Sequence, residues 1–380
     1  MLGPGDPIPS FYAHSLGNPR YAFDSVAGRY IVVSFVVSGR VPGVERFYAD
    51  LCRDTGPFDD RFASLFLVSS DPADAAGDRL SERYPGVRIF IDADRAMARL
   101  FGCVREGTNG TEQIGLTTWI LDPGLRVLKV LPIEDIASHG EAIRRALRDL
   151  PSPADDMDSP APVLTVPNLL EPEFCRALLD YAEANGLEES GYMKTDPATG
   201  QTVMVVDHAH KRRMDCSIED EALRQGLQAR IIRRLVPQIE RTFQFRATRM
   251  ERTIISCYNA DTGGYFRPHK DNTTLGTAHR RFAVSIGLDA DSYEGGDLRF
   301  PEFGRRTYRP PTGGAVVFSC SLLHEATPVT KGRRFAVLPF LYDDAAAAIR
   351  LANAQHLQDK ALRENVIASV TAMPKSSTTH

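Results

Sequence analysis

The chain has 380 residues, with 45 Lys and Arg against 49 Asp and Glu and a formal net charge of −4. Domains usually run to about 100–200 residues, so this length predicts two of them. The near balance of charge argues against a polyanion-binding protein, and no nucleic-acid partner is expected.

In chain order, the first part alternates strands with helices. RYIVVSFVVS (29–38) is a continuous β-branched and aromatic run, as in a strand buried on both faces. VERFYADLCRDT (44–55) predicts a helix, SLFLVSS (64–70) a second buried strand and AAGDRLSERY (75–84) a helix. VRIFIDA (87–93) predicts a third strand and DRAMARLFG (94–102) a helix. TTWILDP (117–123) and RVLKVLP (126–132) read as hairpin arms around a turn at Pro123-Gly124, and GEAIRRALRDL (140–150) closes as a helix. This alternation predicts an α/β sheet covered by helices.

PSPADDMDSPAP (151–162) has linker composition and separates residues 1–150 from a second domain at 163–345. That domain opens with two amphipathic helical stretches, 171–186 and 219–243. Short strands with turn signals follow: RTIISCYN, RFAVSIGLDA, GGDLRFPE, RRTYRPP, GAVVFSC and RRFAVLPFLYD. Their spacing suits a sandwich or jelly roll, hence an α+β domain. Residues 346–380 read as a helix trailing into a frayed SSTTH tail.

Cys52, Cys103, Cys175, Cys216, Cys257 and Cys320 form no C-x-x-C pair, so they read as buried free thiols of a reducing compartment. The N-terminus shows no basic segment followed by an apolar run, and no stretch approaches the roughly 20 apolar residues that span a bilayer. The expectation is a cytoplasmic protein without a membrane partner.

The chemistry concentrates in YNADTGGYFRPHKDN. At a strand end, residues i and i+2 project to one face, so His269 and Asp271 can reach one ion. His324, just after the strand GAVVFS, is the third candidate ligand. Two histidines and a carboxylate on one face leave open positions, the facial triad of non-haem Fe(II) oxygenases. Catalytic zinc, the rival metal, usually keeps a single open position. A dicarboxylic co-substrate needs a cation. Arg333 and Arg334 follow on one strand, and alternation lets one of them face inward. Arg334 shares parity with Ala336 and Leu338 and is the expected anchor, its guanidinium fork matching a carboxylate. Tyr258 offers a hydroxyl to the same co-substrate.

Residues 163 to 343 resemble the prolyl-4-hydroxylase-type branch of the 2-oxoglutarate/Fe(II) dioxygenases. The matching elements are Tyr258 and Gly263-Gly264 ahead of His269-x-Asp271, then Arg281, the turns EGGDLRF and TGGAVVF, and His324-x-x-x-Pro328-Val329-Thr330-x-Gly332-x-Arg334. The resemblance implies a double-stranded β-helix, His269, Asp271 and His324 as iron ligands, and Arg334 as the 2-oxoglutarate anchor. It also implies Fe(II) as cofactor, 2-oxoglutarate and O2 as co-substrates, L-ascorbate as reductant, and hydroxylation of a C–H bond with succinate and CO2 as co-products. The hydroxylated molecule would be a prolyl residue of a protein or peptide, or a small molecule. Halogenation is disfavoured because Asp271 occupies the position chloride would need.

Other groups invite blander readings. His208-x-His210 reads as solvated, Arg333 as outward, and His279, Arg280 and Arg281 as a solvated strand edge. Tyr265 reads equally as a packed aromatic or a substrate contact. Residues 191–213 are expected to form a polar lid, with Lys211, Arg212 and Arg213 as candidate substrate contacts.

The first domain, residues 3 to 150, resembles the thioredoxin-like fold of peroxiredoxins through GDPIPSF, RYIVVSFVVS and TTWILDPGLRVLKV. Where that family carries its reactive cysteine, this chain reads SGRVPGVERF. Cys52 and Cys103 read as packed thiols. The domain is therefore read as a docking, dimerising or substrate-recruiting module. A thiol peroxidase with a regulatory second domain, and a scaffold with a vestigial iron site, are the rival readings.

Overall fold

A computed structural model describes residues 1–53, 56–106, 112–153 and 159–372. The chain divides into two units, Met1–Pro160 with Pro301–Arg305, and Ala161–Phe300 with Arg306–His380. Pro301–Arg305, which the linear reading assigns to the second domain, groups with the first. The middle of the expected linker (154–158), the expected tail (373–380) and the end of the first predicted helix (54 and 55) lie outside the described residues. Among the described residues no helix is long and apolar enough to cross a membrane.

In the first unit, β1 (Tyr30–Val37), β2 (Ala63–Ser69) and β3 (Val87–Ile91) run parallel, with α1 (Val44–Cys52) connecting the first two. β4 (Thr117–Leu121) pairs antiparallel with β1, and β5 (Val127–Pro132) with β4. The sheet order is β3-β2-β1-β4-β5, and a final helix, Ile136–Arg148, packs beside α1. A βαβ unit followed by a ββα unit is the thioredoxin-like α/β arrangement. The apolar run of β1 is explained by burial on both faces. Tyr30 and Val32 join one core with Ile143 and Leu147, while the Phe35 ring meets Phe101 and Trp119 on the other side.

One predicted helix does not form. AAGDRLSERY is entered by a 3-10 turn, Pro72–Ala76, that stops at Gly77 in the left-handed conformation. The buried Asp74 accounts for the break. Its carboxylate accepts from the backbone of Gly39 at 2.7 Å, from Ser69 Oγ at 2.6 Å and from Arg79 Nη2 at 2.8 Å. Those bonds tie the segment to the sheet and to the loop after β1, in competition with helical pairing.

The second unit has a jelly-roll core of two antiparallel sheets. The larger has nine strands and carries, side by side, Leu164–Val166, Ala315–Ser319, Phe282–Gly287, Arg333–Val337, Ile254–Asn259, Met214–Ser217 and Glu188–Glu189. The smaller orders Lys211–Arg212, Tyr265–His269, His324–Ala326, Leu298–Arg299 and Thr307–Tyr308. Alternation along the large sheet divides its residues cleanly. Ile255, Cys257, Val284, Ile286, Phe335 and Val337 pack with Leu178, Leu227 and Ile239 of the two helical stretches. Tyr258, Ser285 and Arg334 have the opposite parity and line a cavity.

Two segments are interrupted where proline dictates. RRFAVLPFLYD forms two strands, Arg333–Val337 and Phe340–Tyr342, broken at Leu338-Pro339. The long helical stretch passes through a π turn at Ile231–Leu235 just before Pro237, which has no N–H to donate.

Phe101→Ala should destabilise the first unit by roughly 3–5 kcal/mol, the usual cost of removing a buried ring. The single tryptophan, Trp119, stacks edge-on against Phe101 and reports this directly. The urea midpoint of its fluorescence transition should fall. An unchanged midpoint would refute the assignment of these rings to the core.

Candidate metal centre and cavity

The strands Tyr265–His269 and His324–Ala326 pair antiparallel, with His269 and His324 directly opposite. The register shifts between Phe266 and His269. Pro268 cannot donate to the ladder, and a bulge at such a point re-aims the next side chain. His269 Nδ1 lies 2.8 Å from the carbonyl of Arg267, and His324 Nδ1 lies 3.0 Å from that of Leu322. A carbonyl only accepts, so both Nδ1 atoms carry the proton and both Nε2 lone pairs are free. Burial first, and then the neighbouring His324, holds His269 well below the usual imidazole range, so its ring is neutral.

Asp271 completes the group. Its backbone N–H donates to the Cys320 carbonyl at 3.1 Å, and Arg280 Nη1 donates to its own carbonyl at 3.3 Å. Its carboxylate lies 3.7 Å from His269 Nε2 and 3.3 Å from His324 Nε2. All three donor atoms fall within 4.8 Å of one another. Adjacent ligands of an octahedral ion at about 2.1 Å sit about 3 Å apart, so the set fits a first-row divalent ion such as Fe(II). Among the described residues this is the one group of three or more potential metal ligands.

The triad lines a cleft with about 470 Å3 of empty space, part of it open to solvent. Arg334 and Tyr258 line the same cleft from the large sheet and are direct partners in its register. Arg334 is 2% exposed, donates to Ser285 Oγ at 3.0 Å, and stands 5.0 Å from the centre of the Tyr258 ring. Its neighbour Arg333 faces outward and pairs with Glu183 at 3.2 Å. Gly296 permits this placement. A Cβ there would meet Val329 Cγ2 at 2.7 Å and Arg334 Cδ at 3.2 Å. Ser285 was not singled out from sequence, although one polar residue within FAVSIG was the available signal.

The expected lid segment contains three short strands. Tyr192–Thr195 and Thr202–Val205 make a hairpin, and Lys211–Arg212 joins the small sheet opposite Phe266 and Tyr265. Strand alternation then buries Lys211 and Arg213 and leaves Arg212 outside, donating to Thr262 O. His208 is exposed beside Glu189, and Tyr265 donates to the His208 carbonyl at 2.7 Å. At the supposed solvated edge, His279 is buried and Arg280 is half-buried. Glu251 lies 2.7 Å from Arg280, 3.1 Å from His279 and 2.7 Å from Arg350 of the helix Asp344–Asn353, which supplies the missing cover. Arg252 also lines the cleft and was not singled out from sequence.

All six cysteines are free. Burial raises the Cys52 thiol and pushes Cys103 up to about 12, which disfavours the reactive thiolate at both.

Lys211 donates to Ser190 Oγ at 2.7 Å and to Gly191 O at 2.6 Å. Burial, with Arg213 and Arg252 nearby, lowers its pKa to about 5. Between about pH 5 and the unperturbed value near 10.4, the unfolded chain therefore binds a proton that the folded chain does not. This residue's contribution to stability rises with pH across that window, by about 1.4 kcal/mol per pH unit where the difference is one full proton. NMR of protein labelled at lysine Cε should show one signal with a midpoint near 5, missing in Lys211→Arg. Titration of every lysine at the ordinary value would contradict the burial argument.

Comparison with known proteins finds a family model that matches part of the chain. Residues 253–342 match the model of the 2OG-Fe(II) oxygenase superfamily. A PKHD-type hydroxylase of Cupriavidus metallidurans is 36% identical over 95 residues, 22% of this chain and 42% of that protein. The chain thus matches less than half the length of that relative. Among solved structures, peroxiredoxin Q of Xanthomonas campestris is 22% identical, with a TM-score of 0.32 over 37% of this chain and 89% of that one. The collagen prolyl hydroxylase of Paramecium Bursaria Chlorella virus-1, in complex with 2OG, is 14% identical, with a TM-score of 0.34 over 48% of this chain and 96% of that one. Both strands that carry the paired histidines fall inside the matched segment, and the C-terminal region of this chain carries a 2OG-Fe(II) oxygenase domain.

Proposed function

We propose that the second unit is an Fe(II)- and 2-oxoglutarate-dependent hydroxylase. The observation that carries this reading is the pair of neutral-tautomer imidazoles and a carboxylate converging in a cleft that also holds a buried arginine. His269, Asp271 and His324 would hold the metal on one face. With 2-oxoglutarate and O2, the bound Fe(II) would supply oxidative decarboxylation, giving succinate and CO2 and hydroxylating a substrate C–H.

The chain's own contribution is position and field. The carbonyls of Arg267 and Leu322 fix the ring planes of the two histidines, so both lone pairs are aimed before the metal arrives. Arg334 is oriented by Ser285 and offers its remaining N–H groups to the distal carboxylate of 2-oxoglutarate. The Tyr258 ring stands beside that guanidinium. Phe266, Phe318, Leu298 and Leu338 line the cleft with apolar surface, which limits water around the reacting groups. L-ascorbate would serve as reductant in vitro.

The test is succinate formation from 2-oxoglutarate, with Fe(II) and ascorbate under air, for the wild type, His269→Ala and Arg334→Ala. Turnover in the wild type and background rates in His269→Ala are expected. Removing the Arg334 partner of a buried carboxylate should cost roughly 2–5 kcal/mol, at least about thirtyfold in 2-oxoglutarate affinity. If the wild-type Fe(II) protein neither forms succinate nor binds 2-oxoglutarate without air, the reading fails.

A further inference from the structure

The cleft holds more positive charge than the proposed metal and co-substrate use. Arg213 and Arg252 both line it. The Arg213 side chain is only 3% exposed, and its Nη2 donates to Asp215 Oδ2 at 2.7 Å and to Ser190 Oγ at 2.9 Å. Its buried Nε has no hydrogen-bond partner among the described residues. A buried, unpaired donor on a cation is costly and calls for an acceptor. Arg252 Nη2 donates to the same Asp215 oxygen at 3.3 Å. Its backbone sits at φ +70°, a left-handed conformation that a non-glycine residue adopts only at a cost.

The formal charges can be balanced. Fe(II) and Arg334 together bring three positive charges, and Asp271 and 2-oxoglutarate bring three negative ones. Arg213 and Arg252 bring two, and Asp215 returns one. One positive charge is left, shared by two guanidiniums around a single carboxylate. In a low-dielectric cleft an uncompensated charge is a strong determinant of what binds.

We propose that Arg213 and Arg252 form a subsite for a carboxylate of the molecule that is hydroxylated, so that the substrate is an organic acid rather than a neutral compound. The inference rests on the hydroxylase reading above. A forked guanidinium recognises a carboxylate in two-point fashion. Burial first, and then Arg213, lowers Arg252 to about 10. The Arg213 guanidinium stands 5.8 Å from the centre of the Tyr258 ring, whose face also carries Arg334 at 5.0 Å. Two carboxylates, one from each ligand, would thus flank a single tyrosine. The other source of a carboxylate for this pair is 2-oxoglutarate itself, and the experiment separates the two.

The protein is loaded with Mn(II) and 2-oxoglutarate and titrated with acetate or with acetamide, and Mn(II)-induced relaxation of the probe's NMR signals is read. Saturable relaxation of acetate but not of acetamide is expected. Arg252→Gln, which leaves Asp215 paired with Arg213, should cut the acetate effect about tenfold, as for loss of a charged hydrogen bond. Arg213→Gln should do the same or more. Equal relaxation of acetate and acetamide, or an acetate effect indifferent to both substitutions, overturns the subsite. A loss of 2-oxoglutarate affinity of about tenfold or more in Arg252→Gln also overturns it, by giving the pair to the co-substrate. Failure of 2-oxoglutarate to bind the wild-type Mn(II) protein is seen before acetate is added, and counts against the hydroxylase reading itself.

Discussion

The second unit depends on the direct opposition of His269 and His324 across two short antiparallel strands. Facing positions on such a pair bring two Cβ atoms to about 4.5–5.5 Å, which suits two imidazoles meeting at one ion. Three further constraints serve this pairing. Pro268 breaks the ladder just before His269, the Cys320 carbonyl and Arg280 hold the backbone of Asp271, and two carbonyls set the tautomers. None of them is itself a candidate ligand group. Each removes a degree of freedom that the three donors would otherwise have to give up on binding.

The large sheet supplies the opposite requirement, charge in a dry place. Its helix-facing residues build an apolar core, and this frees the other face to carry Tyr258, Ser285 and Arg334. Burying a guanidinium is tolerable only when its donors are met. Arg334 meets Ser285, and Arg213 meets Asp215 and Ser190 while leaving one donor over. Burial first, and then Arg213 and Arg252, lowers Lys211, although Asp215 and Asp271 oppose that shift. A cleft of this kind selects anions by field as well as by shape.

The first unit shows the same logic with a different outcome. Its sheet buries apolar residues on both faces, with Ser34, Thr118 and His139 hydrogen-bonded to one another among them, and the loop after Tyr30–Val37 is pinned by Asp74 rather than built around a thiol. The cysteines it does contain are protonated by burial. Its organisation is that of a well-packed scaffold, with Phe35, Phe101 and Trp119 meeting edge to face.

Much of this was legible in the sequence, because periodicity and spacing are local. The apolar run of residues 29–38 read as a doubly buried strand, the parity of Arg334 with Ala336 and Leu338 gave an inward face, and His269-x-Asp271 gave two ligand types at one strand end. Local pattern failed wherever a distant partner decided the matter. AAGDRLSERY has helical composition, yet Asp74 is claimed by Gly39 and Ser69. His279 and Arg280 look like a solvated edge until Glu251 and Arg350 enclose them. Sequence offered Lys211, Arg212 and Arg213 alike as substrate contacts, and only pairing with Phe266 turns two of the three inward, with Arg213 lining the cleft. The sequence by itself determined which residues offer imidazole, carboxylate and guanidinium groups near one another in the chain and which strands have two faces. Tertiary structure alone decided which of those residues meet, because register between strands and the charge balance of a cleft are set by pairings that no local spacing encodes.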